Sequence, residues 1–156
     1  AYVPPLVAHL VGRPPKESMA INYARLCARY VGARALIAGT VRIDDFKDAA
    51  YRDAVTQSLA ARTVIEARDR GDPNALTPIE VEVRTSGGQR HSTTVEHVYG
   101  SPQRPMTREA HLAKLRQNAG LASPPVPAAN IDRLITLVDR LETVPDVSRI
   151  VDEAVA

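Results

Sequence analysis

Between Ile79 and Thr85 the chain reads Ile-Glu-Val-Glu-Val-Arg-Thr, apolar and polar residues alternating at period two. That spacing predicts a strand with one buried face. Ser86-Gly87-Gly88 supplies the positive φ angles of a tight turn, and Gln89 to Val98 is expected to return as its partner strand. Gly100-Ser101-Pro102 and Pro105 end the ladder, because proline has no N–H to give it. Thr107 is placed to cap a helix with Glu109 in its first turn, Leu112, Leu115 and Ala119 on its apolar side, and Gly120 as its stop.

Elsewhere the pattern is helical. Ser18 is placed to cap one long helix from about Met19 to Ala38, rich in small residues and closed by Gly39. Arg25 and Arg29 then lie one turn apart on a shared face. Val3 to Leu10 is short and proline-led, and Val41 to Phe46 reads as a connector. A second helix over about Ala49 to Leu59 leads to a strand at Thr63 to Ala67, and residues 69–74 are a loop dense in turn formers. Leu121 to Pro127, stiffened by three prolines, reads as a linker. Beyond it Ile131, Leu134, Ile135, Val138 and Leu141 form an amphipathic stripe, and Asp146 is placed to cap a last short helix carrying Val147, Ile150 and Val151. These elements predict an α+β fold: a small, mainly antiparallel sheet layered against helices, then a C-terminal helical hairpin. The boundaries expected are residues 1–121 for the α+β domain and 122–156 for linker and closing helices.

Composition narrows the function classes. The 156 residues are 44% hydrophobic and 24% charged, ordinary values for a soluble globular chain. Twenty basic and 18 acidic residues are well mixed, so the net +2 marks no basic patch. With no tryptophan and one phenylalanine, no stacking platform for nucleic acid is expected either. Arg25, Arg29 and Arg34 interrupt the most hydrophobic stretch, which argues against a membrane span. Cys27 is alone, which suits a reducing cytoplasm, and no secretory leader is visible.

Little local chemistry stands out. His91 and His97 would lie roughly 20 Å apart along one strand, too far to share a metal. His9 and His111 are isolated. Ser58, Ser86 and Ser101 lack a nucleophile elbow, and Gly87-Gly88 lacks the helix and lysine of a phosphate cradle.

Four stretches carry a resemblance. They are Asn22 to Leu26 running on to Val41; Phe46 with Val55 to Ala67; Gly100-Ser101-Pro102-Gln103-Arg104-Pro105-Met106-Thr107-Arg108-Glu109 with Lys114 beyond; and Leu141-Glu142 with Val147 to Val151. In this order and spacing the chain resembles the C-terminal region of the MmgE/PrpD family, which includes 2-methylcitrate dehydratases, cis-aconitate decarboxylases and iminodisuccinate epimerases. Members are much longer, and a helical N-terminal domain holds most of their catalytic residues.

The resemblance implies a metal-free, cofactor-free active site on a small di- or tricarboxylate, with this chain as its second wall and the general base in the helical domain. It implies a homodimer, with a 2-methylcitrate dehydratase-like lyase the first choice of reaction. It places Tyr23 where related members carry an active-site tyrosine, able to donate to a substrate carboxylate or its enolate-like intermediate. The bland alternative is a core residue beside Leu26, Cys27 and Tyr30. Ala20 stands where a serine is common and Ser18 where a basic residue is common, departures that bear on the substrate. Arg13 and Lys16, at the helix entrance, are the candidate substrate-binding cations, with solvated loop charges as the alternative. Lys114 reads as a salt-bridge residue. The chain is expected to open at Ala1 just past a completed strand, with its closing helices returning toward the helical domain. The alternative function is a stand-alone, non-enzymatic interaction module. A small independent enzyme is disfavoured, because no convergent acid, base and nucleophile set is present.

Overall fold

The computed structural model describes residues 1–69 and 71–155, which form two compact units, Ala1–Val98 and Tyr99–Ala156. In the first unit, Tyr2–Val3 form β1 and Pro5–Val11 form α1. Pro5 opens that helix at a position whose N–H would have no partner in any case. Next come α2 (Ile21–Arg25), α3 (Ala28–Ala38), a 3-10 turn at Ile43–Phe46, α4 (Asp48–Tyr51), α5 (Ala54–Arg62) and β2 (Glu66–Ala67). The hairpin of β3 (Ile79–Arg84) and β4 (Arg90–Val95) completes the unit.

The sheet order is β2-β1-β3-β4, with β1 parallel to β2 and antiparallel to β3. The hairpin pairs Ile79 with Val95 through to Arg84 with Arg90, and Gly88 alone takes the positive φ at its turn. The fold is α+β, as the pattern predicted. The alternation did not translate into one buried face, however. Every residue of β3 but Arg84 is half-buried, and β4 is exposed except at Val95.

Two helices predicted as continuous are broken. Leu26 and Cys27 leave the helical path between α2 and α3, because the backbone at Cys27 is extended (φ −102°, ψ 90°) and bridges Gly12. Ser18 caps nothing; Ala20 stands at the N-cap of α2, with no side-chain bond. Gly39 ends α3 in the left-handed region, φ 70°. Between α4 and α5 the chain restarts at Asp53, whose carboxylate accepts from the Thr56 N–H at 2.9 Å. The strand expected over Thr63 to Ala67 shrinks to two residues.

The core of this unit is unusual in its content: Met19, Ala24, Cys27, Tyr30 and Tyr51, with Tyr23, Val31 and Phe46 packed against it. Tyr30 meets Phe46 and Tyr51 edge-on, at 6.5 and 5.5 Å between ring centroids. Each buried hydroxyl finds a carbonyl: Tyr51 donates to Phe46 O at 2.6 Å, and Tyr30 donates to Asp45 O.

The second unit holds α6 (Arg108–Gly120), α7 (Ala128–Val138), a 3-10 turn at Leu141–Thr143 and α8 (Ser148–Ala154). Thr107 caps α6 through Ala110 N at 3.2 Å, and Asp146 accepts from Ser148 N at 2.9 Å. Gly120 is the last residue of α6, and Leu121 takes the C-cap. The stripe on α7 is only partly covered. Ile131 is buried, Leu134 and Ile135 are half-buried, and Val138 and Leu141 remain exposed, while the unpredicted Leu137 is buried. α7 packs against both α6 and α8, so its covered surface wraps past a single stripe. Arg116–Asp132 and Arg108–Asp139 tie α6 to α7, and Arg133–Glu153 ties α7 to α8.

Candidate functional site

Three residues singled out by sequence, Tyr23, Arg13 and Lys16, come together in the first unit. Tyr23 sits mid-way along α2, half-buried, its ring against the core cluster and its hydroxyl outward. The Arg13 guanidinium carbon lies 5.1 Å from the Tyr23 ring centroid, and the Lys16 ammonium lies 4.6 Å from it. Both distances are within cation–π range. Neither cation has a carboxylate partner among the described residues. The Arg13 guanidinium donates one N–H to the Leu10 carbonyl at 3.1 Å.

The stretch that carries these cations has no secondary structure of its own, yet it is held. Gly12 bridges Cys27. A Cβ at Gly12 would stand 2.4 Å from the Ala8 carbonyl oxygen, so the close turn off α1 requires glycine here. The Cys27 thiol donates to Arg13 O at 3.4 Å, and the Tyr23 hydroxyl donates to Pro14 O at 2.8 Å. Gln57, reaching from α5, donates to Lys16 O at 3.0 Å.

These bonds decide what the phenol has free. Tyr23 carries one hydroxyl hydrogen, and in this state Pro14 O takes it. Its oxygen lone pairs remain open as acceptors. Donation to a ligand requires exchanging the Pro14 bond, worth about 1 kcal/mol in net terms.

Other sequence candidates fall apart from this group. Arg25 closes α2 with its guanidinium 5.8 Å from the Phe46 centroid. Arg29 lies past the helix break, its Nε buried with no hydrogen-bond partner. The face they were predicted to share does not exist, because the helix is interrupted between them. Lys114 on α6 is exposed and forms no ion pair among the described residues, against the salt bridge expected of it. His91 is exposed on β4, and His97 lies beyond the end of that strand. Among the described residues, no three His, Cys, Asp or Glu side chains gather as metal ligands. In the second unit the Gly100–Met106 turn and His111 line a depression of about 400 Å³, where the Ser101 hydroxyl is buried without a partner.

Sequence reasoning missed a second polar group. Arg34 on α3 meets the buried Asp45 at 2.6 Å and the Thr56 hydroxyl at 3.1 Å, and Asp45 also accepts from Arg42 N at 2.7 Å. It joins α3, the 3-10 turn and α5, and so holds α5, with Gln57 on it, against α3. Asp53-x-x-Thr56 was legible as a helix cap. The Gln57 contact was not, since 41 positions separate the partners.

Comparison with known proteins gives two findings. The MmgE/PrpD C-terminal domain model matches residues 1–143. The cis-aconitate decarboxylase-like protein oryM of Aspergillus oryzae (strain ATCC 42149 / RIB 40) is 28% identical over 150 residues, covering 94% of this chain and 30% of that protein. The chain therefore spans under a third of the length of the curated relative it matches.

Proposed function

Because the chain belongs to the MmgE/PrpD family as a C-terminal domain, we propose that it forms one wall of an active site for a small di- or tricarboxylate. The observation that carries this reading is the cation pair on the Tyr23 ring, with no carboxylate paired to it among the described residues. A cation pair without an internal partner is a place for an external anion. The other wall, with the general base, belongs to a helical domain supplied by the rest of the enzyme or a separate subunit.

In this reading the reaction starts with removal of a proton from carbon beside a carboxylate. The electron pair left behind spreads onto that carboxylate's oxygens. Arg13 and Lys16 offset the growing charge, and Tyr23 orients the oxygen nearest its hydroxyl. Expulsion of hydroxide from the neighbouring carbon makes the enzyme a dehydratase, and 2-methylcitrate is the substrate proposed first. The chemistry is metal-independent, and the enzyme is a cytoplasmic homodimer. Among the described residues, no helix is long and apolar enough to cross a membrane.

Titration of the labelled chain with citrate, followed by NMR, tests the reading. Exposed ion pairs contribute about 0.2–1 kcal/mol each, so two of them should let an isolated wall bind no tighter than about tens of millimolar. The shifts should map to Arg13, Lys16 and Tyr23, weaken with added salt, and lose about tenfold in affinity in Lys16→Glu. Saturating citrate that leaves these three residues undisturbed removes the reading.

A further inference from the structure

Three backbone carbonyls of residues 13–16 are engaged by side chains from outside that stretch: Arg13 O by Cys27, Pro14 O by Tyr23 and Lys16 O by Gln57. Tyr23 lies on α2 and Cys27 in the break that follows it. Gln57 differs, reaching across from the fourth residue of α5. Its amide nitrogen also donates to the Tyr51 carbonyl. Both amide hydrogens are therefore spent on backbone, and one of those two backbones carries a ring packed edge-on against Tyr30 in the core. No other side chain on α5 bonds to residues 13–16 among the described residues.

We propose that Gln57 is a positioning residue that latches the 13–16 stretch to α5 and so holds the Lys16 ammonium over the face of Tyr23. It acts through Lys16 and has no need to touch the bound anion. The proposal rests on the carboxylate reading for its functional meaning, but the latch itself stands on geometry within the free chain. Leucine at position 57 keeps most of the volume and removes both donors; glutamate keeps the shape and sets an acceptor against two carbonyls.

The test compares the wild-type chain with Gln57→Leu and Gln57→Glu by NMR, first alone and then with citrate. Alone, the wild type should show the Lys16 ε-methylene displaced upfield by the Tyr23 ring, and both variants should return it to the position of a free lysine. Should Gln57→Leu fold poorly, the glutamate variant still gives this reading. With citrate, affinity should fall about fivefold in the variants, the scale of one lost hydrogen bond. Retention of the Lys16 displacement in a folded variant overturns the latch. A displacement that collapses in the variants, in a chain that ignores citrate, leaves the latch in place and removes the carboxylate reading instead.

Discussion

Tyr30 shows how much one side chain can be asked to do in a core with few large aliphatics. It is fully buried, stacks edge-on with two aromatic rings and donates to the Asp45 carbonyl. Burial, reinforced by Asp45 and Asp53 against the opposing Arg34, pushes its pKa up to about 12. The folded chain thus keeps this proton to higher pH than the unfolded chain, where tyrosine titrates near 10. The stabilisation is intact below about pH 10, falls between about 10 and about 12, and is flat above. Tyr30→Phe should cost about 1 kcal/mol at pH 7 through the lost hydrogen bond. It should also flatten the decline in stability across the alkaline window, as read by urea unfolding at successive pH values. At this scale the site was partly legible. The sequence put Tyr23, Arg13 and Lys16 near one helix entrance, but the latch by Gln57 leaves no local trace because its partner lies so far along the chain.

Among the elements, α5 offers the cleanest case of local dictation. Asp53 accepts from both the Thr56 amide and the Thr56 hydroxyl, and that hydroxyl bond, first of its causes, holds its carboxyl below the usual aspartate range. Such a group stabilises the fold above its unfolded pKa, with the contribution lost as pH falls through the folded value. Asp53→Ala should cost about 1 kcal/mol at pH 7. The gap between variant and wild type should then narrow as acid titrates the carboxylate, which chemical denaturation at pH 7 and at acid pH measures. Where turn and cap chemistry is local, as in the hairpin turn and at Thr107, the pattern alone was sufficient; at Asp146 it was a residue early, since Val147 stands at the N-cap of α8 and Asp146 accepts from Ser148 N. The pattern failed where a distant contact wins. The run from Met19 to Ala38 has no proline inside it and its one glycine, Gly32, stays helical, yet the bridge to Gly12 bends it at Cys27. β1 has two residues, too few to carry a period.

For the whole molecule, the family assignment covers residues 1–143, leaving α8 beyond the matched region although Arg133–Glu153 binds it to α7. The closing helices keep Val138, Val147 and Val151 at least half exposed. At the Tyr23 group, no carboxylate or imidazole bonds to the phenol among the described residues; in the function proposed above, the general base lies outside this chain. Incubated alone with 2-methylcitrate or cis-aconitate, it should show no turnover above background in a direct chromatographic assay. Measurable conversion would place a complete active site within these residues.

The sheet holds a further consequence. Its seam is β1: Tyr2 pairs with Glu66 on one side and with Glu80 on the other, and Arg68, just past β2, reaches over it to Glu80 at 2.6 Å. Of the three segments, residues 2–3 are synthesised first and must wait for both partners. The seam therefore closes across long loops, the kind of contact that slows folding. Its brevity is protective during that wait, since two residues fall well short of the six or seven needed to template a foreign strand. The chain has put a delayed contact in one of its two shortest strands.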